Sequence, residues 1–215
     1  MNIILLGAPG AGKGSVSELL TTKHNYYHLS TGDALRQIAK EDSELAHKLN
    51  NILKSGQLVS DDIVNEIVKT TLDRINTSKY QGIIFDGYPR TKNQAQYLNK
   101  IAKIDQVLFI DVPNEIIENR IINRRLCSKC GKIYNLIVPD LKPKQNDTCD
   151  GCGALLIQRK DDTKNVIAKR LQEYYKEISP LMQFYADQGL LIKLDGTLAW
   201  PEWKALVEKT VKINE

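Results

Sequence analysis

Residues 7–15, Gly-Ala-Pro-Gly-Ala-Gly-Lys-Gly-Ser, place one lysine among small residues in a pattern that closes around a phosphate chain. Gly7, four residues, then Gly12 and Lys13 match the phosphate-binding loop. In that loop backbone N–H groups converge on phosphate oxygens and the lysine reaches the outer phosphates. Residues 2–6 read as a strand and the residues from Lys13 onward as a helix, whose N-terminal dipole end favours an anion. Gly14 follows the lysine, where the generic loop has the Ser or Thr that ligates magnesium; the hydroxyl comes one residue later, at Ser15.

A second chemistry is written in the cysteines. Cys127-Ser-Lys-Cys130 and Cys149-Asp-Gly-Cys152 form two CxxC pairs at zinc-ribbon spacing. Four thiolates complete a tetrahedral Zn²⁺ site with no position left for water or substrate, so the expected role is structural. Gly131 and Gly153, one after each pair, ease the turns that aim two sulfurs at one ion. Two disulfides or a thioredoxin-like redox pair are the competing readings. The first is disfavoured in a reducing cytosol, and the second because neither pair opens a helix after a strand.

These groups must be held by a frame, and its pattern is legible. Short apolar runs at 83–85, 107–112 and 190–194, with a weaker one at 27–29, join residues 2–6 as buried strands. Helical patterns separate them. Ile63, Val64, Ile67, Val68 and Leu72 repeat at helical spacing behind Ser60, Asp61 and Asp62, which can cap the first turn. A helix is expected over 113–125, with Ile116, Ile117 and Ile121 on one face, and another over 163–188, bent or divided at Pro180. Strands alternating with helices mean βαβ units and a parallel sheet. Ligands then bind beyond the carboxyl ends of the strands, where residues 7–13, 86–90 and 195–197 fall. Residues 31–59 and 126–160 interrupt the alternation as two small insertions.

The chain has 215 residues and a net charge of +4. That suits an anionic ligand and lies far below the basic excess of a duplex-binding domain. No run approaches the ~18 apolar residues of a membrane span, and the first residues lack the basic and apolar regions of a secretory signal. A cytoplasmic protein without membrane or nucleic-acid partners is expected.

GAPGAGKGS at 7–15, STGDALR at 30–36, QLVSD at 57–61, FDGYPRTKNQA at 85–95, RRLC at 124–127, RKDD at 159–162 and KRLQEY at 169–174 together resemble the adenylate kinase family, long-lid type with a zinc-bearing lid. The order and spacing match over essentially the whole chain. The resemblance implies an α/β fold of the P-loop NTP hydrolase type, with three layers and a five-stranded parallel sheet. It implies a core of residues 1–29, 61–125 and 163–215, an AMP-binding domain at 30–60, and a lid at 126–162 with one structural Zn²⁺. It also implies the reversible reaction of MgATP with AMP to give two ADP, and a monomer.

Site residues follow from the same resemblance. Gly10, Ala11, Gly12, Lys13, Gly14, Ser15 and Arg124, with Ile133, Tyr134 and Leu198 about the base, are expected to bind ATP. Thr31, Arg36, Gln57, Leu58, Val59, Gly87, Tyr88, Pro89, Arg90 and Gln94 are expected to bind AMP, with Arg159 and Arg170 bridging the transferring phosphoryl group. Asp86 resembles the carboxylate that organises magnesium-bound water. Physical reasoning agrees: phosphoryl transfer needs two anionic substrates in line with converging positive donors. Lys13, Arg90, Arg124, Arg159 and Arg170 are the expected catalytic set. The Gln94 amide, donor and acceptor at once, suits an adenine edge. Asp33 reads as a helix cap, and Asp161 and Asp162 as either helix-capping or lid-closing groups. No general base is required, because the AMP phosphate is already an anionic nucleophile, so His24, His28 and His47 are left as surface or packing residues. The remaining alternatives are a GTP-dependent or pyrimidine nucleoside monophosphate kinase, and a zinc-ribbon nucleic-acid-binding NTPase. Against the latter, residues 126–160 hold only Tyr134 as an aromatic.

Overall fold

The structure is a computed structural model and describes residues 1–211. Five strands, β1 (Ile3–Leu6), β2 (Tyr27–Ser30), β3 (Ile83–Asp86), β4 (Gln106–Asp111) and a later one, β8 (Leu191–Asp195), form one parallel sheet in the order β2-β3-β1-β4-β8. Alternation along β1 shows how the sheet is covered. Ile3 and Leu5 pack with Val16, Leu20, Trp203 and Val207 on one side, and Ile4 and Leu6 with Phe85, Leu98 and Tyr185 on the other. A strand apolar at every position is what a sheet covered on both faces requires.

Among the described residues, eight α-helices flank this frame or build its insertions. Helix α1 (Lys13–His24) leaves the glycine-rich loop. Helices α2 (Thr31–Ile38) and α3 (Glu44–Ser55) form the first insertion. Helices α4 (Asp61–Arg74), α5 (Lys92–Ile101) and α6 (Asn114–Ile122) connect the strands. Helices α7 (Lys164–Ala186) and α8 (Trp200–Thr210) flank β8. No helix among the described residues is long and apolar enough to cross a membrane.

The expected helix over 113–125 stops at Ile122, and Arg124 opens a strand instead. This strand, β5 (Arg124–Cys127), pairs antiparallel with β6 (Ile133–Asn135) and β7 (Leu156–Ile157). Arg120 and Arg124 therefore do not share a helical face. Pro180 does not divide α7, which runs unbroken for 23 residues. Proline removes one hydrogen bond from the ladder, but Leu181 and Tyr185 directly beyond it are sealed in the core and hold the helix in place. The cap of α2 is Ser30, whose Oγ accepts from the Asp33 N–H at 3.2 Å; the Asp33 carboxylate is left for another partner. Ser60 precedes α4 without a side-chain capping bond.

Candidate active site

One cleft of about 740 Å³ runs across the carboxyl ends of the strands. Gly10, Ala11, Gly12, Lys13, Gly14 and Ser15 line it, as do Thr31, Arg36, Gln57, Leu58, Val59, Asp86, Gly87, Pro89, Arg90, Gln94, Arg124, Ile133, Arg159, Arg170 and Leu198. The structure thus brings together nearly every residue expected from sequence. Tyr88 and Tyr134 are the exceptions. Both are sealed from the cleft and buried.

The phosphate loop is folded around its own lysine. Lys13 Nζ donates to the carbonyls of Gly7 at 2.7 Å and Ala8 at 3.0 Å, holding the loop while the amine points along it. Burial lowers the Lys13 pKa to about 8, with Asp86 opposing and Arg90 and Arg124 adding to the shift. Phosphate oxygens would restore the charge. At pH 8.5, ATP binding is therefore expected to take up about half a proton or more, and little at pH 7, where Lys13 is already protonated. Calorimetric titrations in two buffers of different ionisation enthalpy measure this uptake, which is expected to vanish in a Lys13→Met variant.

Gly14 has a geometric reason to lack a side chain. A Cβ there would stand 2.7 Å from Cδ1 of Ile133, which reaches over from β6. A side chain there would turn the tip of Ile133 aside. Gly87 is confined similarly: φ is +75°, and a Cβ would press on Arg90 and on Thr31 Oγ1, each at 3.1 Å. Its carbonyl accepts from Thr31 Oγ1 and from Arg90 Nε, both at 2.8 Å, so it fixes two groups at once.

The arginines converge from separate elements, and most are braced by a carboxylate. Asp162, its side chain fully buried, accepts from Arg124 Nε at 2.9 Å and Nη2 at 2.5 Å. Asp161 accepts from Arg170. Asp33 accepts from Arg36 at 2.5 Å and stands 3.9 Å from Arg159, so the expected helix cap is an ion-pair bridge between the two insertions. Asp161 and Asp162, read from sequence as helix-capping or lid-closing groups, each hold an arginine. Burial lowers the Arg159 pKa, and the neighbouring Arg124 and Arg36 guanidinium groups lower it further. Arg90 is lowered by burial and then by Arg170. Positive groups crowded this closely need an anion among them. The buried Nε of Arg159, which has no hydrogen-bond partner, points the same way.

Asp86, at the end of β3, accepts from His28 Nε2 at 3.1 Å. Burial raises its pKa, but the His28 hydrogen bond and the Lys13 charge outweigh this, and the net shift is downward. A half-buried carboxylate kept ionised beside the phosphate loop fits a role toward hydrated magnesium. Sequence reading leaves His28 as a surface or packing residue. Its position in β2, paired with β3 so that Ser30 lies opposite Asp86, was the signal that sequence alone does not display. Arg120, one helical turn before Arg124 in the sequence, reads as a supporting group outside the core set. It lines the cleft, and burial lowers its pKa.

Gln94 is already half committed. Its Nε2 donates to Asp61 Oδ1 at 2.7 Å and its Oε1 accepts from the Arg90 N–H at 2.7 Å. One N–H and one lone pair remain, the complement an adenine edge needs. The Tyr88 side chain turns away into the core, where its hydroxyl donates to Asn65 Oδ1 at 2.5 Å, which leaves its backbone beside Gly87 and Pro89.

The second insertion is a two-faced sheet. Arg124 and Leu126 on β5, and Ile133 and Asn135 on β6, line the cleft, while Cys127 and Tyr134 face the other way. Period-two alternation sends the Tyr134 ring behind the sheet, against Cys149, so any part Tyr134 takes at the base falls to its backbone. Asn135 donates through Nδ2 to Arg120 O at 2.9 Å, tying β6 to α6. Behind the sheet all four sulfurs lie within 4.8 Å of one another, with Cys127–Cys152 at 3.4 Å and Cys130–Cys149 at 3.7 Å. A tetrahedron with bonds of ~2.3 Å has edges of about 3.8 Å, so the donor set is compatible with zinc.

A glycine-rich loop between β1 and α1, a parallel sheet, and arginines gathered over the loop define a P-loop phosphotransferase. The family model described as Adenylate kinase matches residues 5–190. The chain is 41% identical to the adenylate kinase of Fervidobacterium nodosum over 99% of its own length and 95% of the relative's. It is 42% identical to that of Clostridium tetani, with 92% of each chain covered. A similar relation, at 41%, holds to the adenylate kinase of Kosmotoga olearia, over 92% of this chain and 93% of the relative. The chain belongs to the adenylate kinase family.

Proposed function

We propose that this chain transfers the terminal phosphoryl group of MgATP to AMP, reversibly, giving two ADP. The observation that carries the reading is the ring of Lys13, Arg36, Arg90, Arg124, Arg159 and Arg170 around one cleft with a nucleotide loop at its floor. Residues 10–15 hold the ATP phosphates, with Ile133 and Leu198 toward its base and Arg120 near them. Arg36 and Arg90 hold the AMP phosphate. Thr31, Gly87, Pro89 and residues 57–59 shape the AMP pocket, where Gln94 reads the base with its free N–H and lone pair. Arg124, Arg159 and Arg170 stabilise charge on the transferring group.

The AMP phosphate attacks without a base, so orientation and water exclusion carry the rate. Residues 30–60 and 126–162 act as the AMP-binding domain and the lid, and the Asp33 bridge to Arg36 and Arg159 supports their joint closure. Magnesium, when bound with ATP, neutralises phosphate charge, and Asp86 orders its water. One zinc ion held by Cys127, Cys130, Cys149 and Cys152 braces the lid. The protein works as a cytoplasmic monomer. A coupled assay of ADP formation, run with each nucleoside monophosphate and with ATP or GTP as donor, is expected to give turnover with ATP and AMP. Faster turnover with a pyrimidine monophosphate or with GTP contradicts the assignment.

A further inference from the structure

The hydroxyl of Tyr134 is not used by the transfer chemistry, and its surroundings give it a different task. The ring is 2% exposed, on the face of β6 away from the cleft. The backbone N–H of Asp150 donates to its oxygen at 2.8 Å, which leaves the hydroxyl proton directed to Cys149 Sγ at 3.4 Å. Lys132 Nζ lies 5.5 Å from the ring centroid, on the solvent side. We infer that Tyr134 is the positioning residue of the metal centre: its O–H donates to the Cys149 thiolate and, by accepting from Asp150, fixes the second CxxC turn in the shape that chelates.

The inference rests on the proposed zinc site and deepens it. A tetrathiolate site concentrates negative charge on sulfur, and a thiolate buried away from water needs donors to share it. Cys130 and Cys152 are exposed and can be solvated, whereas Cys127 and Cys149 are buried. Each buried sulfur meets a donor: Cys127 accepts from the Cys130 N–H at 3.4 Å, and Cys149 from Tyr134. The first is supplied by the local turn. The second is delivered by a side chain 15 residues away, on the strand whose preceding residue, Ile133, meets Gly14. Groups that hydrogen-bond to metal ligands commonly alter metal affinity by ~10–100-fold when removed. Tyr134→Phe keeps the ring and its packing while deleting the donor and orphaning the Asp150 N–H.

The test uses the full-length zinc-loaded protein and its Tyr134→Phe variant, with zinc content measured first. Competition with a chromogenic chelator is expected to show zinc affinity about tenfold lower in the variant. The Co²⁺-substituted proteins are expected to differ in the thiolate-to-metal charge-transfer band. Thermal unfolding of the two metal-free proteins is expected to coincide, placing the difference in the metal-bound state. Equal zinc affinity overturns the inference, and so does a destabilisation of the variant that is the same with and without metal. Wild-type protein purified without chelator and found to contain no zinc overturns the metal reading itself, a failure distinct from the others.

Discussion

Replacing Lys13 by methionine is expected to lower kcat by roughly a hundredfold or more while the protein stays folded. The side chain is of similar length and fills the same space, so the loop loses its two carbonyl hydrogen bonds to Gly7 and Ala8 but not its packing. What disappears is a cation directed at the phosphates where negative charge is redistributed in the transition state. Arg124 and Arg170 are held in place by Asp162 and Asp161, so neither is free to move into the position the Lys13 amine leaves. Steady-state kinetics together with a far-ultraviolet circular dichroism melt checks both halves of the expectation. A kcat within a few-fold of the wild type would place the transferring phosphates elsewhere in the cleft.

Replacing Cys152 by serine is expected to act in the opposite order: zinc content and thermal stability fall first, and activity follows as the lid loosens. The sheet of β5, β6 and β7 has only Cys127, Tyr134, Cys149 and Leu156 as its buried core, with Ala154 beside it. So small a cluster cannot offset the entropy of ordering its loops. Structural zinc can contribute on the order of 10 kcal/mol, and one missing thiolate removes much of that. Metal analysis and calorimetric melting of the variant separate this from a catalytic defect. Lost activity with unchanged zinc and an unchanged melt would contradict a structural role for the metal.

The parallel sheet was legible because its strands are apolar at consecutive positions and are separated by helical periodicity or by a glycine-rich turn. The cleft was legible because its groups sit in contiguous motifs, from the loop at 7–15 to the arginines at 124, 159 and 170. Strand β5 was not legible. Two of its four residues are arginine, and it follows directly on a helical pattern, so no local preference marks it. Its pairing is fixed by distant partners, Ile133–Asn135 and Leu156–Ile157, and by the cysteine turn at its end. The same long-range pairing hid the side-chain direction of Tyr134, since the face a residue takes depends on the register of its strand. Asp33 and His28 were misread for a related reason. Each has an obvious local role, and each also faces a charged or polar group far along the chain, Arg159 for Asp33 and Asp86 for His28.

The two-faced sheet also constrains how the second insertion can change length over evolutionary time. An inserted or deleted residue within 128–132, if taken up by a one-residue slip of β6 against β5 and not by the turn, would exchange the faces of β6, sending the Ile133 position to the sulfurs and the tyrosine into the cleft. Beyond Leu136 the chain leaves the ladder for a surface excursion and returns only at the bridge between Thr148 and Leu155. Length variation is therefore expected to accumulate across 137–147 and to be absent from the hairpin, so the spacing between Cys130 and Cys149 is the adjustable dimension and that between Cys127 and Tyr134 the fixed one.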